Sequence, residues 1–444
     1  MAKVITTELQ HSGASAANIT LDSSKNVTCE NNLQVDGNVT VTGTIPADKL
    51  TGTAAAINGS NITNLPAANL TGALPAISGA SLTNLPSSPP AFRNLIINGA
   101  MNVCQRGAYT SQGTSGKFGA DRFELKGQAV GMEHAFVWQD TGMAEFPKCI
   151  RLDCTTAATG TVTEVKIIQP IESQNLVHLL WGTSSAKSIT VSFWCRSNQT
   201  GTYVFWIYKD DGSRHNAKTY TISAADTWEK KTITFDGDQT TAIANDETRG
   251  LSMSWILNTG TGYSSGSSPN GTWESLTDVN RYAGQTATIG GNTNDYYDLT
   301  GVQVEEGTTA TDFEHRNWHD ELLRCQRYYW QFPIDSERGE DLNGILGLGH
   351  SISTTELTVP VQNPVYMRVP PTLENVTGMT NTWNSQHGGG NWGTWTMGGT
   401  WGTATNNLHS WVKFTGSGAT SDESVLIYRS DSATESVVGF DSEI

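Results

Sequence analysis

The amino-acid sequence predicts an all-β protein in four parts: a fibrous stalk, a β-sandwich of jelly-roll type, a short connector helix and a β-rich tip. Charged residues make up only 16% of the 444 while hydrophobics reach 37%. That mixture suits short strands and polar turns better than long helices, which need Glu, Lys, Leu and Ala. Apolar and polar residues alternate over short runs bounded by Gly, Asn, Asp and Ser, and a unit spanning residues 47–66 recurs without gaps at 67–86. These patterns divide the chain into an N-terminal short-strand shaft (1–46), a repeat shaft with a Pro-rich linker (47–90), a sandwich (91–316), a helix (317–330) and a tip (331–444).

Within residues 18–44, Ile19/Leu21, Val27/Cys29, Leu33/Val35 and Val39/Val41 form apolar pairs separated by turn residues. Strands this short bury no core inside one chain. They gain one if several copies wind about a shared apolar axis. In the repeat, Leu50, Ile57 and Leu65 coincide with Leu70, Ile77 and Leu85, and these six are expected to face that axis. Ser87, Ser88, Pro89 and Pro90 then read as a stiff linker.

Past Phe92, aromatic residues become frequent. Ser188–Arg196 alternates cleanly, with Ile189, Val191, Phe193 and Cys195 on one face and Thr190, Ser192, Trp194 and Arg196 on the other. Thr202–Tyr208 reads as the next strand, ending in an Asp210-Asp211-Gly212-Ser213 turn. Trp228–Asp236, the Leu251/Met253/Trp255 alternation and Tyr296–Glu305 complete the sandwich signal.

Asn317–Trp330 carries a helical stripe through Trp318, Leu322, Cys325 and Tyr329, with Asn317 as N-cap and Asp320 and Glu321 in the first turn. It is expected to serve as a trimer-axis or interdomain connector. His315 and His319 lie four apart but lack a third ligand, so they read as ordinary histidines. The last part returns to strand patterns (ILGLGHSIS, TELTVPV, HSWVKF, SVLIYRS) around a Gly- and Trp-rich stretch, 382–402.

The formal net charge of −16 disfavours a phosphate backbone, and no Lys/Arg cluster is visible, so no nucleic-acid partner is expected. Neither a secretory signal nor a run of about 20 apolar residues is evident, so no membrane insertion is expected. The six cysteines lack CxxC pairing and read as reduced, buried thiols, with a Cys149–Cys154 bridge conceivable only if their strands meet. The Asn-x-Thr triplets at Asn18, Asn26, Asn38, Asn61 and Asn69 read as turn-and-strand chemistry.

Several stretches resemble tail-fibre and virion structural proteins of tailed bacteriophages, of the marine or cyanophage type. The LTG…LTNLP units and the NITLDSS leader resemble their shafts. More specific are NLIINGAMNVCQRG, ADRFEL, LTGVQVEEGTTATDFEHR, CQRYYW and VPVQNPVYMRVPPT. The resemblance implies a homotrimer made in the host bacterial cytoplasm and incorporated into the virion. Its N-terminus would join tail, baseplate or adaptor proteins, and its C-terminal domains would recognise host-surface polysaccharide. The same architecture would serve a head, neck or baseplate fibre that only bridges virion parts, and a depolymerase tailspike is a further alternative. The VSFW and TWEKKTITF stretches also resemble carbohydrate-binding jelly rolls, which often carry structural calcium. The resemblance would put such a ligand on the strand that holds Asp298, but no cofactor or metal is expected.

An aromatic ring stacks on the apolar face of a pyranose while neighbouring polar groups meet its hydroxyls. Trp194, Trp206 and Tyr208 are therefore candidate sugar contacts, the alternative being that both strand faces are buried. Trp392, Trp395 and Trp401 are candidates for a receptor-contacting loop, the alternative being an apical core of packed tryptophans. No GxSxG, HExxH, phosphate-binding loop or Cys-His signature appears, and the chain is not expected to be an enzyme.

Overall fold

The structure, a computed structural model, describes residues 8–9, 19–21 and 27–29, and 93–443 apart from 108, 113–115, 269, 335–344, 376–381, 387–391, 401–405, 418–423 and 429–435. The chain divides into two compact units, Met1–Asn84 and Leu85–Ile444. In the first, β1 (Glu8–Leu9), β2 (Ile19–Leu21) and β3 (Val27–Cys29) form an antiparallel sheet in that order, with Ile19 opposite Cys29. Two of the predicted short alternations thus pair with each other. Leu50, Ile57, Leu65, Leu70, Ile77 and Leu85 lie outside the described residues.

The second unit opens with a two-sheet sandwich. Its strands are β4 (Tyr109–Gln112), β5 (Lys117–Ala120), β6 (Phe123–Ala129), β7 (Glu133–Asp140), β8 (Lys148–Thr156), β9 (Val162–Glu172), β10 (Ile189–Ser197), β11 (Gly201–Lys209), β12 (Arg214–Ile222), β13 (Glu229–Phe235), β14 (Arg249–Thr259), β15 (Glu274–Ser275) and β16 (Tyr296–Glu306). One sheet runs β13-β10-β16-β8-β7-β4 and the other β15-β12-β11-β14-β9-β6-β5, and the pairings are antiparallel.

The expected alternation of β10 holds: Ile189, Val191, Phe193 and Cys195 are all buried between the sheets. They meet Tyr203, Phe205 and Ile207 of β11 and Leu251, Met253 and Trp255 of β14. The Trp255 ring stands edge-on to Phe205 and Phe193, at centroid distances of 5.1 and 5.7 Å, the arrangement aromatic quadrupoles favour. The β11–β12 hairpin closes through Ser213 N–H donating to Asp210 O at 3.0 Å. Gly212 sits there at φ +78°, where a Cβ would be strained.

A short helix, α1 (Thr261–Ser264), follows β14, and α2 (Trp318–Gln326) follows β16. Asn317 caps α2 by accepting from His319 N–H at 2.9 Å, as expected. The helix is shorter than its apolar stripe suggested, because Tyr329 is already in β17 (Tyr329–Ile334), paired with the last strand. Trp318 is 56% exposed, and the buried helix residues are Glu321 and Cys325. Glu321 is held by Asn98 N–H at 2.5 Å, so the helix is anchored to the sandwich by a polar contact.

The remaining strands are β18 (Ile345–Ser351), β19 (Glu356–Gln362), β20 (Thr372–Asn375), β21 (Thr382–Gln386), β22 (Trp392–Thr400), β23 (His409–Ser417), β24 (Ser424–Tyr428) and β25 (Ser436–Asp441). A closed barrel runs β18-β19-β23-β22-β21-β24, and a three-stranded sheet runs β17-β25-β20. The last strand therefore comes back to the sandwich end of the tip. Phe440 stacks on Trp330 at 4.5 Å, and Arg106 meets Asp441 and Glu374, each at 3.1 Å. Arg327 clamps the buried Glu172 carboxylate with two bonds of 2.8 Å. Burial alone would raise the Glu172 pKa, but hydrogen bonds from Arg327 and Tyr328 outweigh it and hold the carboxyl below its usual value.

Candidate functional site

Strand pleating sends β11 residues alternately into and out of the sandwich. Tyr203, Phe205 and Ile207 enter the core, so Val204, Trp206 and Tyr208 lie on the outer face of the seven-stranded sheet. Cross-strand register extends that face into rows. Tyr208 pairs with Ser252; Trp206 with Ser254, and Ser254 with Ile168; Ile256 with Lys166, and Lys166 with Lys126. Aromatic, hydroxyl and cationic side chains from β11, β14, β9 and β6 thus share one surface.

The segment between β14 and β16 folds across this surface. Tyr282 meets Trp206 edge-on at 5.6 Å, and Tyr263 meets Tyr282 at 5.7 Å. Beside them is a cavity of about 210 Å³ bordered by Trp206, Tyr208, Ser252, Leu276 and the cations Lys126, Lys166, Arg249 and Arg281. Trp206 is only 4% exposed, which corrects the expectation of a surface ring. Tyr208 lies parallel to it, with centroids 5.4 Å apart and 9° between planes. Trp206 is the floor of the site and half-buried Tyr208 its accessible aromatic.

The floor is fixed by hydrogen bonds. Trp206 Nε1–H donates to His215 Nδ1 at 3.0 Å, and His215 Nε2 lies 3.0 Å from Glu274. Indole N–H can only donate, so His215 is neutral there with its proton on Nε2. Burial lowers its pKa, and Glu274 opposes that effect without overcoming it. Lys166 reaches Glu164 at 2.9 Å and Tyr282 Oη at 3.0 Å. Burial lowers the Lys166 pKa and pushes the Tyr282 phenol well up, the latter reinforced by Glu164.

Trp194 lies on the other sheet. It is half-buried on the outer face of β10, and a Cβ on Gly301 would stand 2.9 Å from its ring, so close packing there requires glycine. The sandwich core separates it from Trp206, and the structure does not bring these two candidates together. Next to it, Asp298 is fully buried, with both carboxylate oxygens taken by Arg151 (2.6 and 2.9 Å) and Arg196 (2.7 Å). Both of its oxygens are thus engaged by guanidinium groups. Among the described residues, no group of three or more His, Cys, Asp or Glu is gathered for a metal.

The tip differs from the expected loop. Thr382–Gln386 and Trp392–Thr400 are paired barrel strands, with Trp383 opposite Trp395 and Gln386 opposite Trp392. Trp395 is fully buried with Leu357, Val359, Val412 and Phe414, so it is core and not a receptor contact. Trp401 lies outside the described residues. Cys149 and Cys154 share strand β8; with Cys104, Cys195 and Cys325 they are free thiols. Burial pushes Cys149 up to about 12 and Cys154 up to about 11.

Sequence reasoning missed Lys126, Lys166, Arg249 and Arg281. They are far apart in the chain, and only the pairing of β6, β9 and β14 with the crossing segment gathers them.

No family model matches this sequence, and no curated protein matches it. Among solved structures, the enzymatically active domain of bacteriophage CBA120 tailspike protein 4 aligns at 10% identity and a TM-score of 0.27, over 48% of this chain and 21% of that one. A putative sugar-binding protein from Bacteroides thetaiotaomicron aligns at 11% identity and a TM-score of 0.26, over 48% of this chain and 99% of that one. A family 11 carbohydrate-binding module from Clostridium thermocellum aligns at 11% identity and a TM-score of 0.23, over 47% and 98% respectively. At these scores none of them bears on the function.

Proposed function

We propose that this chain is a non-enzymatic fibre protein of a phage virion that recognises host-surface polysaccharide, with the sugar site on the outer face of the seven-stranded sheet. The observation that carries the reading is the cavity beside Tyr208: an accessible aromatic over a rigid indole floor, ringed by hydroxyl and cationic donors. Such a mix of stacking surface and hydrogen-bond donors suits a pyranose. The cavity border has no carboxylate pair of the kind glycosidic hydrolysis ordinarily needs, which favours binding over cleavage. The shaft repeats and the tail-fibre-like motifs favour a homotrimer attached through its N-terminal part, and three equivalent shallow sites would reinforce one another by avidity. Localisation in the virion belongs to the same reading.

A glycan array probed with the full chain tests it. The expected result is retention on at least one polysaccharide class, weakened in Tyr208→Ala while the fold is kept. Retention on none, or retention indifferent to Tyr208→Ala, would overturn the placement of the site.

A further inference from the structure

We infer that the sugar taken by this cavity is anionic, carrying a carboxylate or sulfate; this rests on the glycan reading above. The chain as a whole has 43 acidic against 27 basic residues, yet the cavity border holds four cations and no acid. Lys126, Lys166, Arg249 and Arg281 arrive from β6, β9, β14 and the crossing segment. Their convergence is therefore a product of the fold and not of a basic stretch.

Each cation has a carboxylate partner that does not border the cavity. Glu124 holds Lys126 at 3.0 Å and Glu164 holds Lys166 at 2.9 Å. Asp210 holds Arg249 at 2.6 Å and Asp278 holds Arg281 at 2.5 Å. These pairings orient the side chains without using up their donors. An ammonium has three N–H groups and a guanidinium five, and Asp210 takes two from Arg249. An anion entering the cavity meets the remaining donors, while the four carboxylates lie outside the cavity border.

Ser252 adds an independent sign of a ligand. It is 1% exposed, borders the cavity, and its Oγ makes no hydrogen bond to the protein. A buried hydroxyl left unpaired is costly, and a ligand oxygen in the cavity would satisfy it. Tyr208 supplies the stacking face, so a charged group at the ring edge can reach the cations while the pyranose lies on the aromatic.

The test is calorimetric titration of the full chain with matched tetrasaccharide pairs of the same linkage. Mannose, glucose and galactose series are each used in neutral, C6-carboxylate and 6-O-sulfate form. At least one acidic member should bind about tenfold or more tighter than its neutral or unsulfated counterpart, and increasingly weakly as salt rises. Lys126→Gln and Arg281→Gln, both at partly exposed positions, should each cost the acidic ligand about tenfold more than they cost its neutral counterpart. Equal binding of neutral and acidic members, weakened in Tyr208→Ala and equally affected for both members by the charge variants, would overturn the anionic assignment and leave the glycan reading standing. Failure of every sugar to bind would overturn both. Preference for the carboxylate series or for the sulfate identifies which anion is read.

Discussion

The outer sheet of the sandwich and the C-terminal tip both concentrate aromatic residues, but the two regions use them in opposite ways. In the tip, Trp395 closes a barrel with Leu357, Val359 and Phe414 and is fully buried. In the sandwich, Trp206 is nearly as buried, yet it lies beneath a cavity with half-buried Tyr208 and four cations at its border. A cluster of tryptophans is thus a poor guide to a binding surface by itself. What separates floor from core is what borders each ring: Trp206 lies beside a cavity lined by paired ions, whereas Trp395 packs in a cluster with Leu357, Val359, Val412 and Phe414.

The largest expected effect breaks the tip side of the comparison. Trp395→Ala removes a fully buried ring and should cost about 3–5 kcal/mol of tip stability. Denaturant titration should show a lower midpoint for the tip transition. A midpoint equal to that of the parent chain would mean Trp395 is not core.

On the sandwich side, Tyr208→Ala should weaken sugar binding about three- to tenfold, the range expected for one lost aromatic stack. Its melting should barely change because the ring is only half-buried. Calorimetry and thermal melting on the same sample separate the two readouts.

A smaller effect follows from His215. Its pKa is lowered in the fold, mainly by burial and further by Arg281 and Arg214, against the opposing pull of Glu274. The unfolded chain, with an ordinary value of about 6.5, therefore binds more protons as the solution is acidified. The stability this group contributes is complete above about 6.5 and lost as pH falls from there toward the folded value. Protonation would also put hydrogen on Nδ1 and break the bond from Trp206. Melting curves from neutral to mildly acidic pH should slope less steeply in His215→Asn than in the parent; equal slopes would remove His215 from the account. The smallest effect belongs to Trp194→Ala, which should change sugar affinity by less than about twofold because the ring lies on the other sheet.

Much of the sandwich was legible in the sequence because its strands alternate strictly. Pattern alone puts Ile189, Val191, Phe193 and Cys195 on one face of their strand and a turn at Asp210–Ser213 between strands. The barrel was harder to read. Gly393, Gly398 and Gly399 interrupt the alternation of β22, so 382–402 looked like a loop although it contains two paired strands. The site was half legible. Tyr208 and Trp206 were found by their place on β11, but the cover over Trp206 comes from a Gly- and Ser-rich segment with hardly any periodic signal. Nor can a single strand's pattern reveal that Lys126, Lys166, Arg249 and Arg281 converge, because register between distant strands sets their proximity.

The central claim is that the sugar is held on the sandwich sheet and not at the tip. Hydrogen–deuterium exchange of the full chain, with and without a bound oligosaccharide, tests it most directly. The account predicts new protection at 204–209, 249–254 and 276–282, with the 392–400 strand unchanged. Protection confined to 382–402 would contradict it.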